Sequence, residues 1–120
     1  MYTFIIEGET PAKKNSKIIT RDKRLIPSKR YQEWHENAYI QLMCQTRPKE
    51  PIAEGVSIEL TFIHGDLRRR DSDNGTSSIM DLLVDAKVLE DDNWQIVKEI
   101  KIKNIYERNQ PRCMVEIKEL

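Results

Sequence analysis

Val56-Ser57-Ile58-Glu59-Leu60-Thr61-Phe62-Ile63-His64, followed at once by Gly65-Asp66-Leu67-Arg68-Arg69-Arg70-Asp71-Ser72-Asp73-Asn74, is the stretch on which the reading of the fold turns. Its first half alternates. Val56, Ile58, Leu60 and Phe62 fall on one side of an extended chain, and Ser57, Glu59 and Thr61 on the other, as a half-buried strand requires. Gly65-Asp66 ends the alternation, and His64 is read as a packing residue at the strand end. The second half sets three arginines beside two aspartates spaced i, i+2. In extended backbone such residues point the same way, so Asp71 and Asp73 are expected to project together with Ser72 aside. Like charges held close are unfavourable unless a cation or a neighbouring arginine offsets them, which points to metal and phosphate chemistry.

Downstream, Ser72 or Asn74 is expected to cap a helix over about 75–87, with Ile79, Leu82, Leu83 and Ala86 as its buried stripe and Asp81 and Asp85 on another face. Glu90-Asp91-Asp92-Asn93 then makes an acidic turn. Gln95 to Tyr106 reads as a long strand, and Cys113, Val115 and Ile117 as a closing strand expected to pair with it in a hairpin. Upstream, Tyr2 to Glu7 is a first strand ended by Gly8, residues 9–17 are a polar loop, and Ile18–Thr20 with Leu25–Ile26 make a short basic hairpin. Ser28 caps an amphipathic helix over 29–45, closed by Arg47-Pro48. The expected architecture is α/β (α+β), a small mixed sheet with two helices packed on it, in a single domain over 1–120.

Composition agrees with that scale. The chain has 120 residues, 38% of them hydrophobic and 33% charged. That is too polar for a sheet buried on both sides, and it favours helices on one face or further burial by dimerisation. Twenty basic residues balance twenty acidic ones, but they are segregated. From Pro11 to Arg30 there are eight bases against Asp22 alone, and from Asp71 to Asp92 seven acids against Lys87 alone. The basic run is a candidate phosphate-binding surface. Cys44 and Cys113 have no paired spacing, so neither a zinc site nor a disulfide framework is indicated. With no long apolar segment, the chain is read as soluble and intracellular, with no membrane partner.

The acidic run also excludes several chemistries. Counted from Asp71 as a calcium loop, the sixth position is Thr76 instead of glycine and the twelfth is Leu82 instead of glutamate. Phosphate-loop, nucleophile-elbow and dinucleotide glycine patterns are absent, so no organic cofactor is expected. Oxygen-only ligation of Mg²⁺ or Mn²⁺ remains, a chemistry that serves phosphodiester hydrolysis without a protein nucleophile.

The string Asp71-Ser72-Asp73-Asn74, then a helix with Asp81-Leu82-Leu83, then Asp91-Asp92 and Gln95-Ile96, resembles the RusA family of Holliday junction resolvases. The opening strand and the loop with Pro11, Lys13, Lys14 and Asn15 extend the resemblance over most of the chain. It implies a small cytoplasmic homodimer, of bacterial or phage origin, that binds four-way DNA junctions and introduces paired nicks with Mg²⁺ or Mn²⁺. It also implies catalytic roles for Asp71, Asp73 and Asp92, with Asp91 a further metal ligand. Lys13, Lys14, Asn15, Lys17, Arg68, Arg69 and Arg70 are the expected DNA contacts. The chain departs from the family at Ser77, where a lysine is usual, and Arg68, Arg69 or Arg70 is the favoured substitute, ahead of Lys87. The alternatives are a protein that grips branched DNA without cutting and a small structural or partner-binding protein whose acidic helix face docks a basic protein.

Overall fold

The computed structural model describes residues 1–13 and 17–120, Lys17 by its backbone alone. Eight elements follow the expected order: β1 (Tyr2–Glu7), β2 (Lys17–Ile19), β3 (Leu25–Pro27), α1 (Lys29–Met43), β4 (Val56–His64), α2 (Thr76–Asp85), β5 (Val97–Tyr106) and β6 (Arg112–Glu119). Strands β2 and β3 form a separate ribbon, and the other four make one sheet in the order β1-β6-β4-β5. Strand β6 runs antiparallel to both β1 and β4, whereas β4 and β5 are parallel with α2 between them in the chain, so the sheet is mixed.

Burial follows the pleat. On β4, Val56, Ile58 and Leu60 are fully buried, and they align with Ile117 and Val115 of β6 and with Ile100 and Ile102 of β5. Phe4 and Ile6 of β1 continue these rows through Val115 and Cys113. Ala38 and Leu42 of α1 and Ile79, Met80, Leu82 and Leu83 of α2 close the core from one side, with Trp34 packed against it. The opposite face carries cross-strand polar pairs: Ser57 Oγ donates to Glu99 at 3.0 Å, and Lys103 Nζ lies 2.9 Å from Glu59.

Strand β1 is an edge, and α1 protects it. The Ile5 amide donates to Gln45 Oε1, Gln45 Nε2 donates back to the Ile5 carbonyl, and the Glu7 amide donates to Gln41 Oε1, at 2.9, 2.8 and 2.7 Å. These side chains stand where another strand would pair. At the start of α1, the Ser28 hydroxyl accepts from the Tyr31 amide, as expected of its cap.

Three local expectations are corrected. Strands β5 and β6 do not form a hairpin, because β4 lies between them. Alternating apolar β4 needs a neighbour on each side, whereas β5, with Lys98, Glu99, Lys101 and Lys103, tolerates an edge. The connection from β5 to β6 therefore crosses the end of β4, where the Glu107 amide donates to the His64 carbonyl and the Asn109 amide to the Gly65 carbonyl. Second, neither Ser72 nor Asn74 caps α2. The cap is Gly75, without a side-chain bond, in a position where a Cβ would meet Thr10 Cγ2 at 2.7 Å and Phe62 Cε1 at 2.9 Å. Third, residues 71–75 are not extended: the Asn74 amide donates to the Asp71 carbonyl and the Thr76 amide to the Asp73 carbonyl. The chain turns to enter the helix, so the i, i+2 alternation does not apply there.

Candidate active site

The segment leaving β4 is held by side chains from three other parts of the chain. Arg70, with only 16% of its side chain exposed, brings Nε within 2.8 Å of Glu9 Oε1 and Nη1 within 2.9 Å of Asp66 Oδ1. The same Glu9 oxygen meets His64 Nδ1 at 2.5 Å. His64 Nε2 lies 2.8 Å from Asn104 Oδ1, and Asn104 Nδ2 donates to the Ser72 carbonyl at 2.8 Å. The contacts close a ring: Arg70, Glu9, His64, Asn104, Ser72, and back along the backbone to Arg70. Asp71 lies within that backbone arc and Asp73 just beyond it. Both ring nitrogens of His64 thus face side-chain oxygens, one of Glu9 and one of Asn104.

Asp71 and Asp73 themselves are exposed, and neither carboxylate pairs with another described residue. Asp73 lines a cavity of about 220 Å³ with Lys13, Asn74, Thr76, Ser77, Ile100 and Ile102. Lys13 is ion-paired with Asp81 in the middle of α2, and this hydrogen bond holds the ammonium pKa above its usual value. The position at which the resemblance expects a lysine, Ser77, thus opens onto a pocket that already contains one from the loop after β1.

The second acidic cluster divides its tasks. Asp91 Oδ1 accepts from the Asp92 amide at 2.7 Å and Oδ2 from Asn93 Nδ2 at 3.0 Å. Those bonds, the backbone one foremost, lower the Asp91 pKa. Asp92 is raised instead, first by partial desolvation of its carboxyl and then by Asp91 and Asp81. Asp91 therefore builds the turn, and Asp92 is the carboxyl whose charged form its surroundings disfavour. Asp81 links the clusters, being bound by Lys13 on one side and felt by Asp92 on the other.

In kind, these oxygen donors suit a hard cation. In arrangement they do not form a ligand set: among the described residues no three His, Cys, Asp or Glu side chains gather closely enough to hold a metal ion.

Of the expected DNA contacts, Arg68 and Arg69 are exposed, while Arg70 is committed to Glu9 and Asp66. Lys14 and Asn15, and the side chain of Lys17, lie outside the described residues. An open cavity of about 350 Å³ runs past Arg68, Leu67, Ser72 and Tyr106. Lys87 follows the C-terminal end of α2, away from the Asp71–Asp73 turn. No described helix is long and apolar enough to cross a membrane.

Glu9 and Asn104 escape the sequence reading, and His64, expected there only to pack at the strand end, contacts both. A signal existed for two of them: His64 continues the core parity of Leu60 and Phe62, and Asn104 that of Ile100 and Ile102. A polar residue at the end of a core-facing row needs a partner, and here each is the other's. Glu9, in an irregular segment, offered no such signal.

No curated protein matches the chain. The sequence model of a family described as endodeoxyribonuclease RusA matches residues 7–118, nearly the whole of its length. On that match, over a mixed sheet with two helices whose central strand ends at the tethered Asp71–Asp73 turn, the chain belongs to the RusA family of endodeoxyribonucleases.

Proposed function

We propose that the protein is a homodimeric, Mg²⁺- or Mn²⁺-dependent nuclease that resolves four-way junctions by paired nicks in recombination or repair. Family membership carries the coarser part, an endodeoxyribonuclease whose substrate is the Holliday junction. The observation that supports the finer reading best is the turn itself. Two exposed carboxylates that pair with no other described residue stand on a segment fixed on both sides, beside a pocket containing Lys13. Asp71, Asp73 and Asp92 are the proposed catalytic carboxylates and cation donors. Asp91 is the support that orients Asp92, and gathering the three on one ion requires movement of the side chains. Lys13, which lines the same pocket as Ser77, is the proposed cation for the scissile phosphate in place of the lysine absent there. Arg68, Arg69 and the Lys14-Asn15 to Lys17 loop are proposed to contact backbone phosphates, reading shape more than sequence.

A two-fold junction cut symmetrically is naturally served by a two-fold protein. Edge strand β5 and the turn before it leave Trp94, Ile100, Ile105 and Tyr106 exposed, and this edge is the proposed contact for a second copy. Ser77, where the family usually carries a lysine, favours one alternative, junction binding without cleavage. Purified protein incubated with a synthetic four-way junction and a linear duplex, each with and without Mg²⁺, separates the two. Symmetric Mg²⁺-dependent nicks that vanish in Asp71→Asn with binding retained are expected, and cleavage untouched by that substitution would overturn the assignment.

A further inference from the structure

We infer that His64 and Asn104, linked through Glu9 to Arg70, are positioning residues for the Asp71–Asp73 turn. They set the cleavage rate without touching DNA, and the inference rests on the nuclease reading above. The ring of contacts holds two points on the segment: Arg70, one residue before Asp71, and the Ser72 carbonyl, one residue after it. Neither hold is local. Glu9 and His64 are 55 positions apart, His64 and Asn104 are 40, and Asn104 and Ser72 are 32. The turn is thereby fixed to the end of β1, the end of β4 and the edge strand β5 together.

The ring is suited to support and not to chemistry. Both nitrogens of His64 are taken, its side chain is only 20% exposed, and the carboxylate beside it also answers Arg70. It offers no free lone pair to a water and no free proton to a leaving group. What it supplies is rigidity where a carboxylate's position matters: displacement by about 1 Å costs on the order of 100-fold in rate.

Asn104 gives a sharp test because its two ends do different things. Asn104→Asp keeps the acceptor for His64 but replaces the donor to the Ser72 carbonyl with a negative oxygen. A residue that merely fills an edge position tolerates that change, but one that tethers Ser72 does not. Single-turnover cleavage of a four-way junction, junction Kd and the melting temperature are measured for wild type, His64→Ala, Asn104→Ala and Asn104→Asp. Amide hydrogen exchange is followed at Asn74 and Thr76, whose N–H groups close the turn. The expected result is cleavage lower by about 10- to 100-fold in all three variants, unchanged Kd, and faster exchange at both amides, with Asn104→Asp as impaired as Asn104→Ala. Wild-type cleavage by Asn104→Asp, or unchanged exchange at Asn74 and Thr76, overturns the inference. Should His64→Ala fail to fold, the exposed edge position of Asn104 still supplies the deciding variant. If wild type cuts nothing, the nuclease reading fails, and the exchange measurement separately reports whether the ring holds the turn.

Discussion

Lys13, in the loop after β1, is ion-paired with Asp81 in the middle of α2, at the mouth of the pocket that Asp73 lines. The pair is partly exposed, with 37% and 31% of the two side chains accessible, so it adds little to stability, about 0–1 kcal/mol as such pairs go. On the proposed reading, its value lies in aiming a cation. Lys13→Ala is expected to reduce junction cleavage by about 100-fold or more, the scale of losing one preorganised electrostatic contact, with a melting temperature close to wild type. Single-turnover kinetics beside a thermal melt check this, and normal cleavage would return the role to an arginine.

The two neighbouring acids Asp91 and Asp92 are expected to fail differently. Asp92→Asn removes the carboxylate charge and leaves the turn bonds of Asp91 in place, so cleavage is lost while the fold is kept. Asp91→Ala deletes the acceptor for the Asp92 amide and for Asn93, so the melting temperature falls together with cleavage. Equal melting temperatures for the two variants would refute this division of labour.

Gly75 is fixed by space and not by backbone conformation. A methyl group there would meet Thr10 and Phe62 inside 3 Å. Gly75→Ala should destabilise by about 1–3 kcal/mol, the usual cost of overpacking. Thr10→Ser removes the nearer methyl and should recover part of the loss in the double variant. Urea unfolding of the single and double variants checks the coupling.

Cys44 is exposed and Cys113 is buried, and burial pushes the Cys113 thiol pKa up to about 12. At pH 8 in the native protein, iodoacetamide should label Cys44 alone, with the second thiol reacting only after denaturant. The sign of the linkage follows: the folded state holds this proton more tightly than the unfolded state, whose thiol titrates near 9.0. Stability from the group is whole below that pH and is lost progressively as pH rises toward about 12. Mass spectrometry of labelled protein and alkaline melts test both statements.

Much of the fold was legible because it is written in local periodicity. The alternation of Val56 to Phe62, the cap at Ser28 and the stripe Ile79, Leu82 and Leu83 each specify an element within a few residues. Strand order was not local. Nothing between Tyr106 and Arg112 announces that the chain passes over the end of β4 instead of pairing back. The spacing of Asp71 and Asp73 was visible, yet its geometric reading failed, since entry into α2 bends the segment where extended parity was assumed. Least legible was the support around the turn, assembled from Glu9, His64 and Asn104 by the folded sheet alone.

The outer face of the sheet has a consequence for how DNA approaches. Glu59 pairs with Lys103 and Ser57 donates to Glu99 across neighbouring strands, so among the described residues acidic side chains interrupt the basic ones on that side. Among the described residues, that face is an electrically neutral back wall. On the proposed reading, a junction arm is directed to the rim where β4 ends, and two copies engaging one junction would turn their rims, not their sheets, toward its crossover.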